Sequence, residues 1–293
     1  MVRVSILIGL LFAPLATAAE PGAKIKTISN VVYATIGKEK LVLDLTVPDS
    51  PGPHPVVLCI HGGAWKLGNR YDLAWSICGD TIIEEMNKAG YAAATIEYRL
   101  APKHKFPAQI EDGKTAVRFL RANAAKYNLD PNRLGTLGFS AGAHLANLLG
   151  TTGPEAGFDG TQYPDVSSTV ACVLDYFGPS DLSLYFKSEG IRESFMVPWL
   201  GPTAATSLDI YKKASPMTYV SKGDAPTLIV HGTLDVMVPI IHAERYRDKL
   251  KSEGVPVECF FLPGRLHGWR HDDTKVTDAK GIEFLNKYLK PLK

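Results

Sequence analysis

The pentapeptide Gly138-Phe139-Ser140-Ala141-Gly142 constrains this chain more than any other feature. An apolar strand pattern over 133–137 runs into it, and a helix of small residues is expected to leave from about Ala141. A serine between glycines at such a junction sits on a sharp strand-to-helix turn. Its hydroxyl is lifted off the sheet, and the small neighbours let strand and helix approach closely. Glycine-rich junctions also arise for packing alone, so the string gains its meaning from what accompanies it. It requires a strand feeding directly into a helix, and it makes Ser140 a candidate nucleophile.

The surrounding pattern supplies the rest of such a fold. Residues 31–36 and 41–47 alternate apolar and polar around Gly37-Lys38-Glu39, which reads as an antiparallel hairpin. Short apolar runs at 56–60, 92–98, 134–139, 171–177, 227–231 and 257–262 then alternate with helical periodicity at 74–88, 110–126, 141 onward, 243–252 and 280–289. Continuous Val/Ile/Leu/Ala runs between helices indicate a mostly parallel sheet covered on both faces. Residues 183–217 break the rhythm with Tyr185, Phe186, Phe195, Pro198 and Trp199, and are expected to form a short helical lid or pocket wall.

Composition sets outer bounds. With 293 residues and 45% hydrophobic content, one large core is expected, making 20–293 a single domain. The formal charge of +2 comes from 32 basic and 30 acidic residues without blocks, which argues against a nucleic-acid surface. At the N-terminus, Arg3, the apolar run 4–13 and Ala16-Thr17-Ala18 read as a signal peptide over 1–19, with a mature start near Ala19 or Glu20. That run is short for a bilayer span and Pro14 interrupts it, so no stable membrane insertion is expected after cleavage. Of the four cysteines, Cys59, Cys172 and Cys259 lie in apolar strand patterns and are expected as small core side chains. Cys78 falls on an expected helix, and no disulfide is assigned.

A serine hydroxyl is a weak nucleophile near neutral pH, so a base must take its proton and an acid must orient that base. Asp235, in His231-Gly232-Thr233-Leu234-Asp235, and His267, in Gly264-Arg265-Leu266-His267-Gly268-Trp269, each follow an expected strand. In a parallel sheet those loops and the one carrying Ser140 share one edge. Attack on an acyl carbonyl also needs hydrogen-bond donors for the oxyanion. Ile60-His61-Gly62-Gly63-Ala64-Trp65 follows another strand, and the N–H groups of Gly63, Ala64 and Ala141 are the expected donors.

Together these motifs resemble an α/β-hydrolase esterase, similar to the hormone-sensitive-lipase-like group and to the bacterial acetyl and feruloyl xylan esterases. The resemblance spans about 31–289 and includes Tyr98-Arg99-Leu100-Ala101-Pro102 with Phe106-Pro107-Ala108 and Asp112. It implies the α/β-hydrolase fold with Ser140, His267 and Asp235 as nucleophile, base and orienting acid. It also implies an oxyanion hole of Gly63, Ala64 and Ala141, scaffold roles for Tyr98, Arg99 and Asp112, and no cofactor. The third glycine of the group's H-G-G-G loop is Ala64 here, followed by Trp65, similar to the H-G-G-x-W loop of kynurenine formamidases and to that of the xylan esterases. Only a main-chain N–H is needed there, so alanine serves. The group's long N-terminal cap has no counterpart between the signal and the hairpin, so an open pocket suited to short acyl groups is expected.

The remaining polar and aromatic residues carry plainer expectations. His61 shapes the oxyanion loop, His144 packs behind the nucleophile, and His231 and His242 have no assigned role. Asp175 and Asp181 follow the strand before the lid, and Asp181 is a minor rival to Asp235. Trp65, Trp199 and Trp269 are expected at the pocket mouth, as platforms for sugar or aryl groups or as pocket wall. The expected protein is an exported serine carboxylesterase that cleaves esters of short-chain or aromatic acyl groups through an acyl-enzyme, without metal or organic cofactor. Its partner is a small-molecule or polysaccharide-linked ester, with acetyl or feruloyl esters of plant polysaccharide as examples. An amidase or peptidase with the same triad, and a catalytically silent binding protein, are the rivals. Composition carries no signal for oligomeric state.

Overall fold

The computed structural model describes residues 24–290 except 75–77, 79–80, 186–187 and 202–206. The expected signal peptide over 1–19 and Phe186 lie outside the described residues. Eight strands form one sheet in the order β1-β2-β4-β3-β5-β6-β7-β8. β1 (Ile25–Ile36) and β2 (Glu39–Pro48) make the antiparallel hairpin, and β2 also pairs antiparallel with β4 (Ala92–Ile96). From β4 onward, β3 (His54–Ile60), β5 (Leu129–Phe139), β6 (Val173–Tyr176), β7 (Thr227–Gly232) and β8 (Val257–Leu262) are parallel. This is the α/β-hydrolase architecture that the motifs imply.

Alternation along the strands divides the core in two. On β3, Val56, Leu58 and Ile60 face a cluster shared with α2 (Ala108–Ala122) and α3 (Ala141–Thr151). Val57 and Cys59 face the other cluster, shared with α1 (Ile82–Lys88) and α8 (Asp272–Leu289). Every residue of β3 is buried, as expected of a strand covered on both sides. Each fully buried Val, Leu or Ile contributes about 1.5–3 kcal/mol, so the sheet centre is well able to anchor the loops at its edge.

Three expectations shift. The helix expected over 74–88 is helical only from Ile82 among the described residues. α8 begins eight residues before the expected start, because its first turns, with Asp272 and Asp273 favouring a helix N-terminus, lack an apolar stripe. Cys259 is exposed rather than a core thiol, since β8 pairs only with β7 and is the sheet edge. The 183–217 segment is a run of short helical pieces, including α4 (Glu189–Ile191), α5 (Val197–Leu200) and α6 (Leu208–Lys213), before α7 (Ile241–Ser252). Among the described residues no helix is long and apolar enough to cross a membrane.

Candidate active site

Ser140 directly follows β5 and precedes α3, with φ 53° and ψ −116°. Its N–H donates to the Tyr176 carbonyl (2.9 Å), which ties the turn to β6. A side chain in this left-handed region is strained, and the packing around it must hold it there. The flanking glycines explain how. A Cβ on Gly142 would lie 2.1 Å from the Ile60 carbonyl oxygen, and one on Gly138 would lie 2.2 Å from the Gly142 main chain. Strand, turn and helix therefore pack backbone to backbone, and the serine is forced outward.

The loops after β7 and β8 are joined just as closely. A Cβ on Gly232 would meet the Arg265 and Leu266 carbonyl oxygens at 2.4 Å. The Leu234 N–H donates to the Arg265 carbonyl (2.9 Å), and the Gly264 N–H donates to Thr233 Oγ1 (2.9 Å). This contact brings Asp235 and His267 together. Asp235 Oδ1 accepts from the N–H groups of Met237 and Val238, both at 2.9 Å, while Oδ2 lies 2.6 Å from His267 Nδ1. His267 Nε2 lies 2.9 Å from Ser140 Oγ. An ionised carboxylate only accepts, so the imidazole proton sits on Nδ1 and Nε2 is free to accept from the serine hydroxyl. Burial opposes the charge on Asp235, but hydrogen bonds from His231 and His267 and the Val238 N–H outweigh it and hold the carboxyl well below the usual carboxylate range.

His231, without a role in the sequence reading, is a second histidine on this carboxylate. Its Nε2 lies 2.8 Å from the Val238 carbonyl and 3.4 Å from Asp235 Oδ2, and the ring is fully buried. Its place four residues before Asp235, at the end of a buried strand, was the available signal. Asp181 lies elsewhere: it accepts from Ser183 and pairs with Arg245 (2.9 Å). Asp175 is buried against Asn147 and the Gly178 N–H, both at 2.7 Å, and burial pushes its carboxyl up to about 6.

The loop after β3 turns sharply, with Ala64 at φ 51° and Trp65 at φ 59°. Among the described residues, the N–H groups of Gly63, Ala64 and Ala141 donate to no acceptor within the chain. They are available beside Ser140. Tyr98 stacks on His61 with ring centres 4.2 Å apart and donates to the His61 carbonyl (3.1 Å), while Asp112 accepts from the Arg99 N–H (2.8 Å) and side chain. These contacts support the loop from behind.

Two cavities meet at Ser140 and His267. One, of about 50 Å³, is lined among others by Ala64, Trp65, Tyr185, Ile191 and Met196. The other, of about 140 Å³, is lined by Gly62, Gly63, Phe139 and Phe177. Phe195 and Met237 line both. Of the three tryptophans expected at the mouth, Trp65 alone lines this space. Trp199 is fully buried, stacked behind Trp65 (3.8 Å, 4°) with its N–H donated to Gln109 Oε1 (2.9 Å). Trp269 is buried against Phe177 and donates to Thr277 Oγ1 (3.0 Å), behind the His267 loop. Both indoles find an internal acceptor for their one polar group, so burial costs them nothing and gains apolar area.

The chain is similar to "Esterase LipC" of Mycobacterium tuberculosis, 31% identical over 224 residues that cover 74% of this chain and 53% of LipC. It thus spans about half the length of the curated relatives it matches. A solved structure described as a truncated carbohydrate esterase from gut microbiota superposes with a TM-score of 0.77 and 27% identity, covering 92% of this chain and 99% of that one. A bifunctional GH43-CE protein of Bacteroides eggerthii superposes with a TM-score of 0.75 and 32% identity, over 89% of this chain and 38% of that one. The BD-FAE family profile matches residues 43–250, well over half the chain. With this match, the sheet order and the grouping of Ser140, His267 and Asp235 at one sheet edge, the chain belongs to the BD-FAE family of α/β-hydrolase esterases.

Proposed function

We propose that this protein is an exported serine carboxylesterase that cleaves short-chain acyl esters through an acyl-enzyme on Ser140. The observation that carries the reading is the hydrogen-bonded chain from Ser140 Oγ through His267 to an ionised Asp235. Ser140 Oγ attacks the ester carbonyl while its proton passes to His267 Nε2, and the N–H groups of Gly63, Ala64 and Ala141 receive the oxyanion. His267 then gives the proton to the departing alcohol. Water, deprotonated by the same nitrogen, attacks the acyl-enzyme, and the carboxylic acid leaves as Ser140 regains its proton.

The two cavities support a size assignment. The cavity beside Trp65, of about 50 Å³, is the smaller of the two, against about 140 Å³ for its neighbour. We assign the smaller space to a short acyl group, acetyl to butyryl, and the larger one to the alcohol. The solved structure described as a carbohydrate esterase supports an alcohol borne on a sugar, such as that of acetylated plant polysaccharide. Export rests on Arg3, the apolar run 4–13 and Ala16-Thr17-Ala18.

The test is a turnover series over acetyl to dodecanoyl p-nitrophenyl esters and acetylated xylan, with Ser140→Ala and fluorophosphonate labelling in parallel. We expect labelling at Ser140 alone, loss of all turnover in Ser140→Ala, and kcat/KM peaking between acetyl and butyryl. Hydrolysis surviving in Ser140→Ala would overturn the mechanism, and efficiency rising steadily to dodecanoyl would overturn the size assignment.

A further inference from the structure

We propose that His144 is a positioning residue that fixes Trp65 as the wall of the smaller cavity and so sets how long an acyl group the enzyme accepts, an inference that rests on the esterase reading above. Trp65 is held on two sides. Its ring lies flat on Trp199, and its edge meets the His144 ring at 5.1 Å and 87°. Stacking fixes the plane of an indole but leaves it free to slide and turn within that plane. The remaining freedom is removed by one hydrogen bond, from Trp65 Nε1–H to His144 Nδ1 at 3.2 Å.

The imidazole is itself locked. An indole N–H only donates, so His144 Nδ1 must be the unprotonated nitrogen. The proton is then on Nε2, which donates to the Ala214 carbonyl at 2.7 Å. Both ring nitrogens are used, the residue is fully buried, and burial pushes its pKa down to about 4, so the ring stays neutral at ordinary assay pH. His144 lies one helical turn after Ser140 on α3, Trp65 follows the oxyanion donor Ala64, and Ala214 closes α6 in the 183–217 segment. One side chain therefore links the nucleophile helix, the oxyanion loop and the segment that supplies Ile191 and Met196 to the cavity. A purely space-filling residue here would need no acceptor aimed at the indole.

The experiment compares kcat/KM for acetyl and hexanoyl p-nitrophenyl esters in wild type, His144→Leu, His144→Asn and Trp65→Phe. Melting curves and fluorophosphonate labelling report whether each protein is folded with a reactive Ser140. The exchange rate of the Trp65 indole N–H, followed by NMR, reads the hydrogen bond without reference to turnover. Leucine keeps the volume but removes the acceptor, so the hexanoyl-to-acetyl ratio should rise by about tenfold or more, the size of a one- or two-methylene discrimination. Asparagine places an acceptor near the Nδ1 position and should hold the ratio near wild type. Trp65→Phe keeps a ring on Trp199 but lacks the donor, so it should raise the ratio even if His144→Leu fails to fold. The proposal is overturned if folded, labelled variants lacking either partner keep the wild-type ratio, or if the indole N–H exchanges equally fast in wild type and His144→Leu. If wild type hydrolyses no ester and takes no label while its indole N–H is protected, the esterase reading has failed rather than the hydrogen bond.

Discussion

Replacing Asp235 by asparagine isolates one requirement of the proposed mechanism, the tautomer of His267. The side chain sits among four N–H donors: Met237 and Val238 on Oδ1, and His267 and His231 toward Oδ2. An asparagine amide offers one acceptor and one NH2 group, so either orientation points the NH2 at donors. The orientation that keeps the two main-chain bonds turns the NH2 toward His267 Nδ1. The imidazole then relieves the conflict by moving its proton to Nε2, the atom 2.9 Å from Ser140 Oγ. A protonated Nε2 cannot accept from the serine. In serine hydrolases the corresponding change lowers kcat by about 10⁴, equivalent to about 5.5 kcal/mol of transition-state stabilisation. The assay is kcat on p-nitrophenyl acetate from pH 6 to 9, with circular dichroism to confirm the fold and Asp181→Asn as control. Asp181→Asn should stay within a few-fold of wild type, because Asp181 pairs with Arg245 and not with His267. Turnover by folded Asp235→Asn within about tenfold of wild type, or a large loss in Asp181→Asn, would refute the assignment.

Two further outcomes are expected. Gly142→Ala should give little or no soluble folded protein, since its Cβ would sit 2.1 Å from the Ile60 carbonyl oxygen; a near wild-type melting temperature would count against the elbow packing. Acid should destabilise the fold from about pH 6.5 downward. Burial lowers His61 and His144 to about 4 and His242 to about 3, so below 6.5 the unfolded chain takes up three protons that the folded chain refuses. Asp175, raised to about 6 by burial, works in the opposite sense as the pH falls from 6 toward its ordinary value of 3.8. The balance is about two protons, or roughly 3 kcal/mol of unfolding free energy lost per pH unit near pH 5.5. Urea unfolding at pH 7, 6 and 5 measures this, and stability unchanged across that range would refute it.

The grouping of the candidate site's three side chains was more legible in the sequence than their surroundings, and the reason is local. Ser140, Asp235 and His267 each come within a few residues of the end of a strand, so strand order alone brings them to one edge. The glycines at 138, 142 and 232 and the His-Gly-Gly run mark close backbone approaches that composition exposes directly. What depends on long-range pairing was not legible. Trp199 and Trp269 read as mouth residues because nothing in their neighbourhoods discloses that Gln109 and Thr277 accept their N–H groups. His144 and His231 read as packing or as nothing, since their partners Trp65, Ala214 and Val238 gain meaning only once three loops are assembled. The 183–217 segment has no single period because its described residues pass through 3-10, α and π helical geometry in turn.

The backbone contacts at Gly138, Gly142 and Gly232 also divide the molecule into parts that can and cannot diverge. Every reactive group hangs from a loop, yet at these three points the loops are fused to the sheet, with no room for a methyl group. Changes of substrate therefore fall to side chains that line the cavities, among them Trp65, the half-buried Ile191 and Phe195 from the helical segment, and the exposed Met237 beside the acid loop. Substitution there reshapes the space around an ester without touching the glycine contacts that hold the candidate catalytic loops. For engineering, libraries placed on Ile191, Phe195 and Met237 should change selectivity at little cost to folding, whereas the same number of changes at the three glycines would destroy both at once.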